Sequence, residues 1–125
     1  MKEALRYLDN AKQILKTVKI ESNIYTDKKP VREAFATAYL AILEAINEYL
    51  ITKKGFTEKE LPRSVDVYRE VLKKYISVHD GKLMREFNNL YDALHIAGYY
   101  RGLIYEVSAV KDYFKAAKHF IERIN

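Results

Sequence analysis

The sequence predicts an all-α fold, an antiparallel up-and-down helical bundle of four to five helices, in a single domain spanning residues 1–125. Only 4 Gly and 2 Pro occur among the 125 residues, so few positions interrupt a helix. Apolar residues recur every three to four positions through most of the chain, which is the helical period. No segment shows the sustained apolar–polar alternation that is typical of strands.

The first helix is predicted over residues 3–18, where apolar positions repeat at spacings of 4, 3, 4 and 3. These positions are Ala4, Leu8, Ala11, Leu15 and Val18. Residues 20–29 lose the period and are predicted to form a loop.

The second helix is predicted over residues 30–52, with Pro30 in its first turn and Lys53-Lys54-Gly55 at its end. One of its faces is a strip of alanines at helical spacing, and another is bulky. The alanines are Ala34, Ala38, Ala41 and Ala45, and the bulky residues are Phe35, Ile42, Ile46 and Tyr49. Because it is apolar on two sides, this helix is predicted to be the central and most buried one.

A short opening turn follows, in which Thr57 and Glu60 fit a capping box and Phe56 with Leu61 fits a hydrophobic staple. The third helix is predicted over residues 63–78. Its inward residues are predicted to be Val67, Val71, Leu72, Tyr75 and Ile76. The sequence His79-Asp80-Gly81 then predicts a turn.

The fourth helix is predicted over residues 82–97, followed by an irregular connection over residues 98–107 and a last helix with Ser108 as its N-cap. The inward residues of the fourth helix are predicted to be Leu83, Phe87, Leu90, Leu94 and Ala97. Those of the last helix are predicted to be Val110, Tyr113, Ala117, Phe120, Ile121 and Ile124.

Composition narrows the class of protein. Hydrophobic residues make up 49% and charged residues 31%, a balance that supports a folded domain. The absence of Cys excludes disulfides, thiolate zinc sites and cysteine nucleophiles. The charged N-terminus and the lack of an uncharged apolar run of membrane-spanning length predict a cytoplasmic protein with no membrane partner. The net charge of +5 permits an acidic partner, including nucleic acid.

The order of features resembles the HEPN helical-bundle domains. The resemblance rests on residues 4–11 in the opening helix, the Ala-rich stretch 32–45 in the second helix, and Tyr99-Tyr100-Arg101 ahead of the last helix. HEPN domains include ribonuclease toxins and non-catalytic partners of small nucleotidyltransferases. The ribonucleases carry an Arg, a polar residue and then four to six positions ending in His, and this chain lacks that motif.

The resemblance therefore implies a non-enzymatic interaction module that self-associates as a homo-oligomer, a dimer, or docks a small nucleotidyltransferase-type protein. The alternative is an RNA-binding or ribonuclease toxin-type HEPN protein. No catalytic residue, metal ligand set or cofactor is predicted, because no nucleophile motif, phosphate-binding loop or His-x-x-x-His spacing occurs in the sequence.

Two sets of residues are candidate binding sites. The first is His95, Tyr99, Tyr100 and Arg101, which could form a nucleotide-binding corner in which Arg101 holds phosphate and a tyrosine stacks on a base. The competing interpretation is structural: His95 hydrogen-bonds at a helix end, and Arg101 pairs with Asp92 or Glu106.

The second set is two lysine faces. One on the first helix comprises Lys12, Lys16 and Lys19, and one on the last helix comprises Lys111, Lys115 and Lys118. If the two faces adjoin, they form a basic groove able to follow a phosphate backbone. The alternative is that both are ordinary solvated helix faces, and Glu122 dilutes the second one.

Overall fold

The computed structural model describes residues 2–77 and 81–124, and it confirms the all-α bundle with five helices and a two-stranded hairpin. The first half contains α1 (Lys2–Lys16), β1 (Ile20–Glu21), β2 (Ile24–Tyr25) and α2 (Lys28–Lys54). The second half contains a 3₁₀ turn (Glu58–Glu60), α3 (Val65–Val71), α4 (Lys82–Leu90) and α5 (Val107–Ile124). The predicted end of the third helix at Val78 and the turn residues His79 and Asp80 lie outside the described residues.

Helix α2 is the centre of the bundle, as predicted from its two apolar faces. It packs against α1, α5 and the segment that follows α4. Both predicted strips contribute, since the four alanines are buried and Phe35, Ile42 and Ile46 are buried beside them. By length and composition alone α2 could cross a membrane, a criterion that a buried core helix also meets.

The loop predicted over residues 20–29 is instead a hairpin followed by the first turn of α2. Ile20 pairs with Tyr25 and Glu21 with Ile24, across a two-residue turn in which Ser22 and Asn23 both have positive φ, of 49° and 64°. Positive φ at both central residues is the geometry that lets two short strands close tightly. The strands are too short to show an alternating pattern in the sequence.

Helix α2 begins two residues earlier than predicted because Asp27 caps it. The Asp27 carboxylate accepts a hydrogen bond of 3.2 Å from the Lys29 backbone N–H. At the other end Gly55 adopts a left-handed conformation, with φ of 71°, as expected for a terminating glycine. The predicted capping box is confirmed in part by Glu60, which accepts hydrogen bonds of 2.9 Å from both the N–H and the hydroxyl of Thr57.

Helices α3 and α4 continue as π-helices, over Leu72–Ile76 and Tyr91–Tyr100. The predicted irregular connection is confirmed over residues 101–106 but begins three residues later than expected, because the helix runs on to Tyr100. Hydrogen bonds from residue i to i−5 characterise this form, as in the Arg101 N–H that donates to the Ile96 carbonyl. The buried positions of this segment, Leu90, Leu94 and Gly98, recur every four residues, a spacing that an ordinary α-helix also accommodates over so short a stretch.

Gly98 lies where this π-helical segment meets Phe35 of α2. A Cβ atom at position 98 would lie only 2.4 Å from the Phe35 ring, well inside van der Waals contact. Phe35 is fully buried and meets Phe114 of α5 edge-on, with ring centroids 5.6 Å apart. Glycine is therefore required at position 98 for α2, α4 and α5 to pack around one ring.

At two positions, the residue predicted to face the core is less buried than its neighbour in the sequence. Val67 is 38% exposed, and the neighbouring Tyr68 is buried instead, because Ser64 caps α3 and sets its buried face on Tyr68, Val71 and Leu72. In α5 the fully packed aromatic is Phe114, whereas Tyr113 is only partly buried. Tyr68 fills more core volume than Val67 would, and Phe114 has no hydroxyl group that needs a polar partner, as Tyr113 has.

The start of α5 also differs from the prediction. The helix begins at Val107, so Ser108 lies inside its first turn rather than at the N-cap. The Ser108 hydroxyl donates to a Glu106 carboxylate oxygen at 2.9 Å and accepts from the Asn23 side chain at 3.3 Å. Ser108 therefore helps to hold the hairpin against α5.

We expect Gly98→Ala to lower the free energy of unfolding by about 1–3 kcal/mol or more, since the new methyl group must displace a buried ring. Urea denaturation followed by circular dichroism measures this. Asp92→Ala, at an exposed position of the same π-helical segment, is the control and should stay within about 0.5 kcal/mol of the parent. Equal stabilities of the two variants would contradict the close packing at Gly98.

Candidate functional site

The two predicted lysine faces adjoin in the structure. The C-terminal half of α1 lies beside the N-terminal half of α5, and a groove of about 560 Å³ separates them. Five of the six candidate lysines line this groove: Lys12, Lys16, Lys111, Lys115 and Lys118. The sixth, Lys19, does not line it and forms an ion pair of 3.0 Å with Glu21.

The floor of the groove is apolar. It is formed by residues of α1, the hairpin and α5, all of them mostly buried. They are Leu15, Val18, Tyr25, Val107, Val110 and Phe114. Ile20 of β1 also lines the groove and is 51% exposed, which makes it the most accessible apolar side chain there. The groove is therefore amphipathic, with an apolar floor between two cationic rims.

The charge of the groove is not neutralised by the protein itself. No Asp or Glu lines it, and within residues 2–77 and 81–124 none of the five lysines has an ion-pair or hydrogen-bond partner. The N-terminus of α5 also lines it, at Val107, and contributes the positive end of a helix dipole. Like charges held close together without counter-charges favour the binding of an anion.

The hairpin sets the relative position of the two lysine rows. The Tyr25 N–H donates to the Tyr105 carbonyl at 2.9 Å, and the Val107 N–H donates to the Asn23 carbonyl at 2.9 Å. Ile24 and Glu106 form a further antiparallel bridge. The segment that leaves α1 is thereby joined to the segment that enters α5, so the two helices meet in a defined register.

The four residues of the predicted nucleotide corner are only partly brought together. His95 lies between two tyrosines of its own helix, with ring centroids 5.4 Å from Tyr91 and 5.8 Å from Tyr99. Both of these pairs are close to parallel, at 30° and 26°. Tyr39 of α2 packs against the same imidazole, at 4.8 Å. His95 is half-buried by these rings and also lines an open pocket of about 260 Å³ between α2, α3 and the π-helical segment.

Tyr100 and Arg101 lie in a different, solvent-exposed environment. Tyr100 is 69% exposed, and Arg101 is exposed at the end of the π-helical segment. Across the described part of the chain, no hydrogen bond or ring contact joins either residue to His95. The predicted pairing of Arg101 with Asp92 or Glu106 is likewise not among the ion pairs of the described residues.

The arginine that forms hydrogen bonds at this end of the bundle is Arg32, which was not among the residues predicted from the sequence. Its Nε donates to the Tyr99 carbonyl at 2.8 Å, and its Nη2 donates to the Tyr100 carbonyl at 2.9 Å. These carbonyls lie at the negative end of the helix, where cations are favoured. Gly102 has φ of 59°, and a Cβ there would lie 3.0 Å from Arg32 Cδ, so glycine leaves room for the guanidinium stem.

The described residues contain no group of three or more His, Cys, Asp or Glu side chains placed to hold a metal ion. The pair Glu44 and Glu48, four apart on α2, lines a separate open groove with Glu3 and Glu58. Of the features in the described chain, the lysine-lined groove between α1 and α5 is the one whose shape and charge point to a ligand.

Arg32→Ala should lower the free energy of unfolding by about 1–2 kcal/mol, because it leaves two helix-terminal carbonyls without a charged donor. Chemical denaturation gives the value. The matched variant Arg6→Ala removes an exposed pair with Glu3 on α1 and should cost no more than about 0.5 kcal/mol. If both arginines prove equally dispensable, the two hydrogen bonds of Arg32 do not stabilise the end of the π-helical segment.

The Tyr39 hydroxyl group makes stability sensitive to alkaline pH. Burial raises the pKa of Tyr39 from its ordinary value of 10.0 to about 12, with the neighbouring Tyr91 and Tyr68 adding to the effect. The neutral phenol is thus favoured in the folded state. Its contribution to stability is complete below the unfolded pKa near 10.0 and is lost as pH rises through about 12.

Tyr39→Phe should therefore move the midpoint of alkaline unfolding to higher pH, as followed by circular dichroism against pH. The exposed Tyr100 is the control position, and Tyr100→Phe should leave the midpoint where it is. An unchanged midpoint in Tyr39→Phe would show that the phenol ionises as freely as one in water.

Comparison with known proteins gives a family without an assigned activity. The matching family model is described as a domain of unknown function, DUF5618, and it covers residues 1–125. A solved structure of a protein of unknown function from Dyadobacter fermentans is similar over 98% of this chain and 90% of that one, at 34% identity and a TM-score of 0.78. No curated protein matches. The HEPN resemblance stays a prediction, and the chain belongs to the DUF5618 family.

Proposed function

We propose that this domain is a non-enzymatic interaction module that binds an acidic partner in the groove between α1 and α5. The observation that carries the proposal is the convergence of five exposed, unpaired lysines from two helices on one groove. Ordinary solvated lysine faces point into open water and are interspersed with acidic residues. Here the two rows face each other across a concave surface without an acidic lining residue.

Electrostatics makes such a groove suited to recognition. Cationic rims above an apolar floor attract an acidic partner over a distance and orient it before contact. The interaction is expected to weaken with salt, because exposed charges are screened over about 10 Å at 0.1 M ionic strength. Polar contacts of this kind contribute more to association rate and specificity than to the final affinity.

The resemblance to HEPN domains suggests two biological forms of this module. In one, the domain self-associates as a dimer, and in the other it docks a nucleotidyltransferase-type protein. Both forms use a helical bundle as a binding surface and need no catalytic group. Light scattering on the purified protein tests the first form, and a homodimer is the expected result. RNA binding is the second candidate function, favoured by the same five lysines.

The test compares a groove variant with a matched surface variant. Fluorescence anisotropy at low salt measures binding of labelled poly-L-glutamate and, separately, of a single-stranded RNA oligonucleotide. Lys16→Gln/Lys115→Gln removes one charge from each rim and should weaken polyglutamate binding by about ten-fold. Lys59→Gln/Lys73→Gln removes the same charge from exposed positions outside the groove and should leave binding within about two-fold.

Equal weakening in the two double variants would contradict the proposal, because it would mean that only net charge matters. Raising the salt should reduce polyglutamate binding in the parent protein more than in the groove variant. If the groove variant loses more affinity for RNA than for polyglutamate, the result favours the nucleic-acid function instead.

A further inference from the structure

We infer that the partner presents an amphipathic α-helix to this groove, with acidic residues on both sides of its apolar stripe. The inference rests on the proposed function, since it names the kind of acidic partner that the groove accepts. It commits to a helix of another protein, and it follows from the length of the groove, the arrangement of its charges and the chemistry of its floor.

The length of the groove matches a short helix. Its α5 side extends from Val107 to Lys118, and eleven residues of helix rise by about 16 Å. A partner helix of about three turns therefore spans it. Helices that bind in grooves use apolar anchors at positions i, i+3, i+4 and i+7, which span about 10 Å and so fit within that length.

The charges of the groove are arranged in helical rows. Lys12 and Lys16 are four residues apart on one rim, and Lys111, Lys115 and Lys118 are four and three apart on the other. Because the apolar floor lies between the rims, a bound helix that places its apolar stripe downward points its two flanks at the two rows. Glutamates spaced by three or four residues on each flank would each meet a lysine, as at the edges of a coiled coil.

The groove is less suited to two other anionic partners, a nucleic acid and a small amphiphilic anion. Aromatic rings reach it at Tyr25 and Phe114, but these side chains are only 6% and 3% exposed, so neither forms a platform for stacking bases. A small amphiphilic anion has one charged group, which leaves most of the five lysines without a counter-charge. An acidic helix supplies both spaced charges and an apolar surface for Ile20 to contact.

The chain has no described helix of its own to place there. Each of its five helices already buries an apolar face in the shared core, including Leu8 of α1, Leu72 beyond α3 and Phe87 of α4. Freeing one of these helices would expose core residues. A second copy of the folded domain therefore does not supply the helix, so self-association uses another surface and the occupant of the groove is a segment of a different protein.

Two synthetic peptides of about fourteen residues with identical composition test the inference. The first carries Leu at i, i+3, i+4 and i+7 with Glu on both flanks, and the second carries the same residues with Leu spread evenly around the helix. Isothermal titration calorimetry measures the binding of each to the intact domain. We expect the amphipathic peptide to bind at least ten-fold more tightly than the permuted one.

Two variants locate the contact. Ile20→Ala shortens the exposed apolar side chain at the groove and should weaken binding of the amphipathic peptide by about five-fold, a larger factor than for polyglutamate, which has no apolar stripe. Lys16→Gln/Lys115→Gln should weaken the binding of both the amphipathic peptide and polyglutamate. Because these side chains are exposed, circular dichroism should show unchanged folding in both variants.

The outcomes separate this inference from the proposed function. If both peptides and polyglutamate bind alike, and the lysine variant weakens all three, the helix inference is wrong and the acidic-partner function stands. If neither peptide nor polyglutamate binds, both are wrong. If decanoate or the RNA oligonucleotide binds more tightly than the amphipathic peptide, the occupant is a small amphiphile or a nucleic acid, and the inference is overturned.

Discussion

Burial of α2 is the constraint on which the other elements depend. This helix is apolar on more than one side, so it is stable in water only when neighbouring helices cover it. Helix α1 packs against it, while Phe35 occupies the space between the π-helical segment and α5. With both sides of α2 covered in this way, α1 and α5 are left adjoining each other along one edge, and that edge carries the lysine-lined groove.

Much of the fold could be predicted because side-chain period and burial are directly linked. Four of the five predicted stripe residues are buried in α1, and the fifth, Val18, is buried just beyond its end. The central place of α2 and the glycine that ends it were also predicted. The features that could not be predicted depend on backbone choices with little side-chain signature. They are the two-residue turn at Ser22-Asn23 and the π-helical hydrogen bonds after Leu90. Buried positions spaced by four fit either kind of helix over ten residues, so the period alone does not distinguish them.

The residues of the candidate site could be predicted from the sequence, but their arrangement in space could not. Residue spacing placed three lysines on one face of each of two helices, but whether those faces adjoin depends on how the bundle is packed. The corner at His95 shows the opposite case. Residues close in sequence suggested a shared pocket, yet Tyr39, which is 56 positions away in the chain, covers the imidazole together with Tyr91. The role of Arg32 was hidden for the same reason, since its two acceptors are backbone carbonyls distant in sequence.

The hairpin has a consequence for the kinetics of recognition. Its backbone hydrogen bonds tie the exit of α1 to the entry of α5, so the spacing between the rims is set when the protein folds. The receptor side then loses little conformational entropy on complex formation, and the ordering cost falls on the incoming chain and on the lysine side chains. Association should accordingly be rapid and governed by long-range electrostatic attraction. The lifetime of the complex should depend on how much helix the partner segment already forms before it binds.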